Sequence, residues 1–210
     1  MTDDAPHDVP VTADLPDSPF HTTGVDHISL IGSNIEDTIE FYRDILGMPL
    51  VLKQPNLDSP NMSHLFFDTG DGRMLTFFVE NDGHESHRGP QRNGVGSVHH
   101  LAFRFEPARI EEIKEALNDA GHFFNEFDRG IFHSLYTKDH NGLVIELATD
   151  KFVIPDDRRA EVLAKAQEIR VEAGAEYARE EDLEAALEAL GIPVEPASLP
   201  EASSGAAGLE

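Results

Sequence analysis

The sequence predicts an α+β fold in which two βαβββ modules follow one another and together form a curved mixed sheet, with helices after them. Two observations indicate this fold. A unit of one strand, one amphipathic helix and three strands occurs twice between residues 24 and 150, and amphipathic helical patterns follow. Because each module contributes half of the curved sheet, the two halves can enclose a half-barrel cavity.

The chain is predicted to have four consecutive parts. These are a flexible acidic arm, a two-module domain, a helical extension and a flexible tail, at residues 1–22, 23–150, 151–192 and 193–210. Within the domain, module one spans 24–80 and module two spans 96–150. The linker between them, 81–95, is rich in glycine and charge, which is typical of a surface loop.

Module one begins with an apolar strand that ends at Ile31. Asn34 is the predicted N-cap of the next helix, with Asp37 three residues later, and Gly47 ends that helix. One side of this helix carries Ile35, Thr38, Ile39, Tyr42 and Leu46. Three strands are predicted next, over residues 48–53 and in the segments SHLFFDT and RMLTFFVE, the last after the turn GDG.

Module two repeats this plan. Its first strand lies in SVHHLAFRF, and Gly121 ends the helix that follows. The inner side of that helix carries Ile110, Ile113 and Leu117. Strands are predicted in HFFNEF, IFHSLYTKD and LVIELAT. Two more amphipathic helices, at 156–173 and 178–190, are expected to pack on the core or on a second subunit.

The charge of the chain excludes two classes of partner. Forty acidic residues against sixteen basic ones give a formal net charge of −24 and a pI near 4.6. Nucleic acid and anionic membrane surfaces are repelled by such a protein, so neither is expected as a partner. The dispersed acid and the scarcity of lysine resemble proteins of salt-loving organisms, although an ordinary acidic cytosolic protein is the alternative.

The residue composition also limits the possible metal ligands and the expected location of the protein. The chain has no cysteine, so a metal ion would have to be held by nitrogen and oxygen atoms. No apolar run approaches the roughly 18 residues that a membrane span requires. The N-terminus has acid and proline where a secretory signal would have a basic patch and an apolar core. We therefore expect a soluble, cytoplasmic protein.

Aligning the two modules reveals candidate metal ligands. DHISL aligns with HHLAF and GRMLTFF with GLVIELA, so His27 corresponds to His100 and Thr76 to Glu146, with spacings of 49 and 46 residues. Two imidazoles and one carboxylate beside a non-ligand position have the composition of a facial triad that leaves coordination sites open. We therefore predict that His27, His100 and Glu146 bind a metal ion.

The alternative is that these histidines are ordinary strand residues, since eleven histidines in the chain allow accidental pairings. Glu146 favours the metal, because a carboxylate flanked by apolar residues costs several kcal/mol when it is buried without a partner. Side chains alternate along a strand, so His99 is predicted to point away from the face of His100. His99 would then act as an acid or base near the site, or only fill space.

Longer motifs resemble a known superfamily. LDSPNMSHLFFDTGDGRMLTFF, GSVHHLAFRF and FDRGIFHSLYTKDHNGLVIELATD resemble the first and last modules of larger ring-cleaving dioxygenases of the hydroquinone and catechol types. Those enzymes belong to the vicinal oxygen chelate superfamily, with glyoxalase I and the bleomycin-resistance proteins. The resemblance covers residues 24–150, and the chain has two modules where those dioxygenases have four. It implies an extradiol-type dioxygenase that cleaves an aromatic diol with O2.

The resemblance also implies a cofactor and further site residues. Fe(II) is the implied metal, with Mn(II) or another divalent ion as a substitute, and its ligands fall on the three predicted positions. Arg129 and Tyr136 are implied to face the cavity, and together with His99 they are the predicted catalytic residues. The guanidinium would hold an anionic substrate and the phenol would donate a hydrogen bond or a proton. Thr76 stands where glyoxalase I has a fourth ligand, which argues against lactoylglutathione isomerisation.

Two other functions remain open at this point. One is a non-oxygenase member of the superfamily, such as an isomerase, epimerase or thiol transferase, which uses the metal without O2. The other is a metal-free protein that binds a ligand and confers resistance. Modules of this kind complete their cavity within one chain or across a dimer, and a homodimer is the expected assembly.

Overall fold

The computed structural model describes residues 11–84 and 94–199. In these ranges the predicted α+β architecture is confirmed: two βαβββ modules form two mixed four-stranded sheets, and helices follow them. The predicted flexible arm, linker and tail lie partly outside the described residues, at 1–10, 85–93 and 200–210.

Module one forms a four-stranded sheet and one helix. Its elements are β1 (His27–Gly32), α1 (Ile35–Ile39), a π-helical continuation of α1 (Glu40–Ile45), β2 (Leu50–Pro55), β3 (Met62–Asp68) and β4 (Met74–Glu80). The strand order is β1-β4-β3-β2, with β1 parallel to β4 and the other neighbours antiparallel. Asn34 caps α1 as predicted, because its side-chain oxygen accepts a hydrogen bond from the Asp37 N–H at 2.7 Å.

Module two has the same topology, with strand order β5-β8-β7-β6. Its elements are β5 (Leu101–Arg104), a 3-10 turn (Pro107–Arg109) that leads into α2 (Ile110–Asp119), β6 (Asn125–Asp128), β7 (Phe132–Lys138) and β8 (Val144–Asp150). The extension contains a 3-10 turn (Asp156–Arg158), α3 (Arg159–Glu172) and α4 (Glu180–Ala189).

The second strand of module one starts later than the sequence predicted. We expected it to begin at Met48, but β2 begins at Leu50. The Met48 N–H donates to the carbonyl of Tyr42 at 2.9 Å, directly after Gly47 with its φ of +74°. Because this bond closes the last turn of the helix, the residue after the glycine belongs to the helix cap.

Module two shows the same difference for the same reason. Its second strand was expected to begin at His122, whereas β6 begins at Asn125. The His122 N–H donates to the carbonyl of Leu117 at 2.8 Å and thereby caps α2 after Gly121. The repeat therefore includes the helix stop as well as the strands.

The two modules share one hydrophobic core on the helix side of both sheets. Its buried members are Phe41, Tyr42, Met48, Leu65, Phe67, Leu75, Phe77 and Val79 from module one, and Ile110, Leu117, Leu135, Ile145 and Leu147 from module two. A second, smaller core lies in the extension and contains Phe152, Ile154, Val162, Ala166, Leu183, Ala186, Leu187 and Ile192. No helix among the described residues is long and apolar enough to cross a membrane.

A buried hydrogen bond joins the modules inside the shared core. The hydroxyl of Tyr42 donates to Asp139 Oδ2 at 2.9 Å, and the other carboxylate oxygen accepts the backbone N–H groups of Asn141 and Leu143 at 2.8 and 2.9 Å. Burial, followed by the nearby Asp139 carboxylate, raises the pKa of Tyr42 well above its usual value. The helix of module one is thereby fixed to the β7–β8 turn of module two.

We expect Tyr42→Phe to lower the free energy of unfolding by about 1–3 kcal/mol, because it removes one donor from the buried Asp139 carboxylate. Urea unfolding measures this change. Tyr177→Phe is the matched control, since Tyr177 is exposed, and it should leave stability unchanged. Equal stability of both variants would contradict a role for this bond in joining the modules.

Candidate metal centre

The two sheets place the aligned residues in the same register. Ser29 of β1 is the strand partner of Thr76, and Ala102 of β5 is the strand partner of Glu146. His27 and His100 each lie two residues before those partners. Thr76 and Glu146 alternate with core residues of β4 and β8, so they belong to the sheet faces that lie away from the shared core. His100, just before β5, reaches the face of Glu146 because the two side chains are in contact.

In module two, an imidazole and a carboxylate are brought together. His100 Nε2 lies 2.9 Å from Glu146 Oε2. The Glu146 side chain is buried, and the hydroxyl of Ser134 on β7 donates to its other oxygen, Oε1, at 2.7 Å. The carboxylate is thus held by an imidazole just before β5 and a hydroxyl on β7, one on each side of β8.

Arg129 and Tyr136 lie beside this pair. Tyr136 is the strand partner of Glu146. The guanidinium carbon of Arg129 lies 4.4 Å from the ring centre of Phe127 and 5.4 Å from that of Tyr136. Burial first, and then the Glu146 carboxylate, raises the pKa of Tyr136, while Arg129 opposes the increase. A guanidinium, a phenol, an imidazole and a carboxylate therefore share one sheet face.

Each candidate histidine ligand is contacted at Nδ1. His27 Nδ1 lies 2.6 Å from Asp26 Oδ1, and His100 Nδ1 lies 2.7 Å from His99 Nδ1. A partner at Nδ1 orients an imidazole and leaves Nε2 as its ligand atom. His99 thus touches His100 directly, although strand alternation predicted opposite faces. The reason is that both residues precede β5, which begins at Leu101, so the alternation of a regular strand does not apply to them.

His27 does not lie with the pair formed by His100 and Glu146. His27 is on the sheet of module one, and its side chain is half exposed. Over residues 11–84 and 94–199, no group of three histidine, aspartate or glutamate side chains is close enough to hold one metal ion. Thr76, at the fourth position, is buried and lies 2.8 Å from Ser29, oxygen to oxygen.

A groove lies between β1 of module one and β5 of module two. It has a volume of about 1150 Å³ and is bordered by Val25 and Ile28 on the β1 side and by Ala102 and Phe103 on the β5 side. None of the six predicted site residues lines this groove. Within one chain, β1 and β5 are the outer strands of two separate sheets.

His64 is a histidine to which the sequence assigned no function, and it lies on the Thr76 face of module one. Its ring stacks on Phe78 at a centroid distance of 4.0 Å and contacts Phe66 at 4.1 Å. Its buried Nε2 has no hydrogen-bond partner among the described residues. Burial, and to a smaller extent the charge of His27, lowers the pKa of His64.

Sequence reasoning missed two polar groups that orient the candidate ligands, namely Asp26 and Ser134. Both had a local signal in the sequence. Asp26 aligns with His99 in the repeat, and Ser134 lies two residues before Tyr136 on the same strand face. Their contacts nonetheless depend on side-chain orientation, which the sequence pattern alone did not define.

The sequence profile of the Glyoxalase/Bleomycin resistance protein/Dioxygenase superfamily matches residues 24–147. This match includes both modules and more than half of the chain. The chain belongs to this superfamily, in agreement with the resemblance found in its motifs.

Two similar proteins of Bacillus subtilis (strain 168) are both named as putative ring-cleaving dioxygenases. The protein is 35% identical to "Putative ring-cleaving dioxygenase MhqE" over 103 residues, and this aligned region covers 48% of this chain and 32% of the relative. It is 30% identical to "Putative ring-cleaving dioxygenase MhqO" over 115 residues, and this aligned region covers 51% of this chain and 37% of the relative. The chain therefore spans only about a third of the length of these relatives.

Solved structures show the same fold. A glyoxalase/dioxygenase from Nostoc punctiforme has a TM-score of 0.52 and 21% identity, over 66% of this chain and 99% of that one. A Bacillus subtilis protein described as a "putative dioxygenase" has a TM-score of 0.52 and 23% identity, over 62% of this chain and 42% of that one. At these identities the likeness concerns the fold alone.

The lowered pKa of His64 predicts a pH effect on stability. A histidine whose pKa is lower in the folded state binds its proton more readily in the unfolded state. His64 therefore contributes a loss of stability as the pH falls below about 6.5. When the pH is lowered from about 7.5 to about 5.5, the free energy of unfolding should fall less for His64→Phe than for the parent protein.

Urea unfolding at the two pH values measures this difference. His21→Phe is the control for the removal of a histidine, because His21 lies on the exposed N-terminal segment. Equal loss of stability in His64→Phe and the parent protein would show that His64 titrates alike in both states.

Proposed function

We propose that this protein is a metal-dependent extradiol-type dioxygenase that cleaves a small aromatic diol, a catechol or hydroquinone, with O2. The observation that carries this proposal is the His100–Glu146 pair, which lies on one sheet face with Arg129 and Tyr136. Superfamily membership and the names of the relatives support it. Fe(II) is the proposed metal, and Mn(II) is the alternative.

The donor atoms fit a divalent ion of this type. Two ligands that each lie about 2.1 Å from a metal at a right angle are about 3.0 Å apart. The separation of 2.9 Å between His100 Nε2 and Glu146 Oε2 matches this value. His27 is proposed as the third ligand, because Asp26 occupies its Nδ1 and leaves Nε2 available. A set of two imidazoles and one carboxylate suits Fe(II) and leaves positions for substrate and O2.

A bound metal would supply Lewis acidity and a template on which diolate and O2 are brought together. The chain's own residues would then bind and orient the substrate. Arg129 would hold an anionic substrate oxygen, since its guanidinium already lies over the Tyr136 ring. Tyr136 would keep its proton in the resting site, because its pKa is raised, and would donate that proton or a hydrogen bond to the substrate.

His99 and Ser134 would act on the ligands. If His100 Nε2 binds the metal, its Nδ1 carries hydrogen and donates to His99 Nδ1 at 2.7 Å. Ser134 holds Glu146 Oε1 at 2.7 Å and thereby orients Oε2. His99, predicted as a catalytic residue, is therefore proposed to orient a ligand.

The complete centre is proposed to form across a homodimer. One chain holds His27 apart from His100 and Glu146, so the three donors need two copies to meet. The outer strands β1 and β5 support this assembly, because β1 exposes the apolar side chains of Ile28 and Ile31 at the edge of its sheet. Each dimer would contain two centres, with His27 from one copy and the other two ligands from its partner.

We expect His100→Ala to lose the bound metal, because it removes a ligand. His99→Ala should keep the metal with an affinity lower by about 10–100-fold, since it removes a group that orients the ligand. Equilibrium dialysis with Fe(II) or Mn(II), followed by metal analysis, measures both. His122→Ala is the control, because His122 contacts Phe41 and the Lys138 carbonyl, away from the pair. Equal and complete loss in both variants would contradict the separate roles.

Mixing two inactive variants tests the shared centre. In a mixed dimer of His27→Ala and His100→Ala, one of the two centres keeps all three ligands. Denaturing and refolding an equimolar mixture should therefore restore about a quarter of the parent metal content and turnover. A mixture that stays as inactive as each variant alone would contradict a centre that is shared between chains.

Oxygen uptake tests the function itself. The protein would be loaded anaerobically with Fe(II) in high salt and supplied with a panel of catechols and hydroquinones, with iron measured on the same sample. Diol-dependent O2 consumption with stoichiometric iron is the expected result. Bound metal with isomerisation or thiol transfer in the absence of O2 would favour a non-oxygenase, and ligand binding without any metal would favour a binding protein.

A further inference from the structure

The turn between β6 and β7 carries Arg129, and its own hydrogen bonds define its shape. The Arg129 N–H donates to the carbonyl of Phe132 at 2.8 Å. The Gly130 N–H donates to the Asp128 carboxylate, at Oδ1, over the same distance of 2.8 Å. Asp128 is the last residue of β6, so the position of its carboxylate affects the course of the turn that follows.

A lysine of the extension holds the second oxygen of that carboxylate. Lys151 Nζ lies 2.6 Å from Asp128 Oδ2 and 2.7 Å from Glu180 Oε2, and the lysine side chain is only 10% exposed. Burial opposes the charge of Lys151, yet the two carboxylates raise its pKa overall. Glu180 is the first residue of α4. One nearly buried ammonium therefore joins the turn to the start of a helix outside the modules.

Close packing reinforces this connection. Gly130 has a φ of +80°, and a Cβ atom placed on it would lie 2.7 Å from the carbonyl oxygen of Ala178, just before α4. The next residue, Ile131, packs against the hydrophobic core of the extension. The guanidinium carbon of Arg159 on α3 lies 5.2 Å from the ring centre of Phe132. The turn is thus enclosed by the extension along its length.

The result is a defined place for the Arg129 side chain. Its guanidinium carbon lies 4.4 Å from the ring centre of Phe127 and 5.4 Å from that of Tyr136. Both rings are on the sheet face that carries Glu146. A change in the turn would move the guanidinium relative to that face, whereas the strands that carry the rings would stay in register.

We propose that the extension, residues 151–192, is a positioning element for Arg129, and that Lys151 and Glu180 are its positioning residues. This inference rests on the proposed function, in which Arg129 binds the anionic substrate. The superfamily profile ends at residue 147. The proposal therefore assigns a role to a part of the chain that the family match does not include.

The position of Arg129 can be measured without any enzymatic activity. A guanidinium that lies over aromatic faces has an Nε–H proton resonance shifted upfield by the ring currents. In an ¹H–¹⁵N spectrum of the full chain without paramagnetic metal, this resonance is identified by its absence in Arg129→Met. We expect Lys151→Met to move it towards the position of a free arginine, and Lys151→Arg to preserve it.

Lys165→Met is the matched control for this spectrum. Lys165 also belongs to the extension, but its ammonium pairs with Glu168 within α3. It should leave the Arg129 resonance in place. Glu180→Gln is a milder second variant if Lys151→Met does not fold, and it should shift the resonance in the same direction. An unshifted Arg129 resonance in Lys151→Met, or in Glu180→Gln, would overturn the proposal.

A double-mutant cycle tests the consequence for turnover. Lys151→Met should lower kcat/KM for the diol on the order of tenfold, through a misplaced substrate contact, with unchanged metal content. In the Arg129→Met background the same substitution should have no further effect, because there is no guanidinium left to position. Additive losses would overturn the proposal. A parent protein that turns over no diol would instead refute the proposed function, and the spectrum would still decide the position of Arg129.

Discussion

The burial of one carboxylate determines how the candidate site is built. Glu146 is 7% exposed, in the middle of β8 and on the face opposite the core residues Ile145 and Leu147. A carboxylate with so little contact with water is stable only with strong donors nearby. His100, before β5, and Ser134, on β7, provide them from the two sides of β8. The strand order β5-β8-β7 is what brings these donors to Glu146.

The two modules share a topology but differ in the chemistry of the equivalent position. Thr76 replaces the carboxylate in module one, and its neutral hydroxyl is satisfied by Ser29. His27 is therefore left with Asp26 as its partner and with no carboxylate opposite. Each sheet alone has an incomplete set of metal donors, which is why the proposed centre needs ligands from both kinds of module.

The shared core explains why the two incomplete halves do not meet in one chain. The Tyr42–Asp139 hydrogen bond and the apolar residues around it hold the helix side of one module against the other. The faces that carry the candidate ligands point away from this core. The extension adds a second constraint on module two, because its helices pack behind the turn that carries Arg129. The sheets that carry the candidate site are thus held in place by contacts on their opposite faces and by the extension.

Much of this could be recognised in the sequence because the signals are local. Alternating apolar residues and glycines at the helix ends defined the two modules, and the spacings of His27 to Thr76 and of His100 to Glu146, 49 and 46 residues, are close. The start of β2 and β6 was placed too early, because the residue after each glycine caps a helix instead of joining a strand.

The sequence by itself determined the order of the elements and the repeat, and it predicted the candidate ligands. Only the tertiary structure decided which of them meet. His100 lies against Glu146 and His27 does not, and Lys151 reaches both Asp128 and Glu180. The physical reason is that these distances depend on how two sheets and the extension pack around shared cores. Such packing joins residues far apart in the chain, and periodicity within a strand or helix contains no information about it.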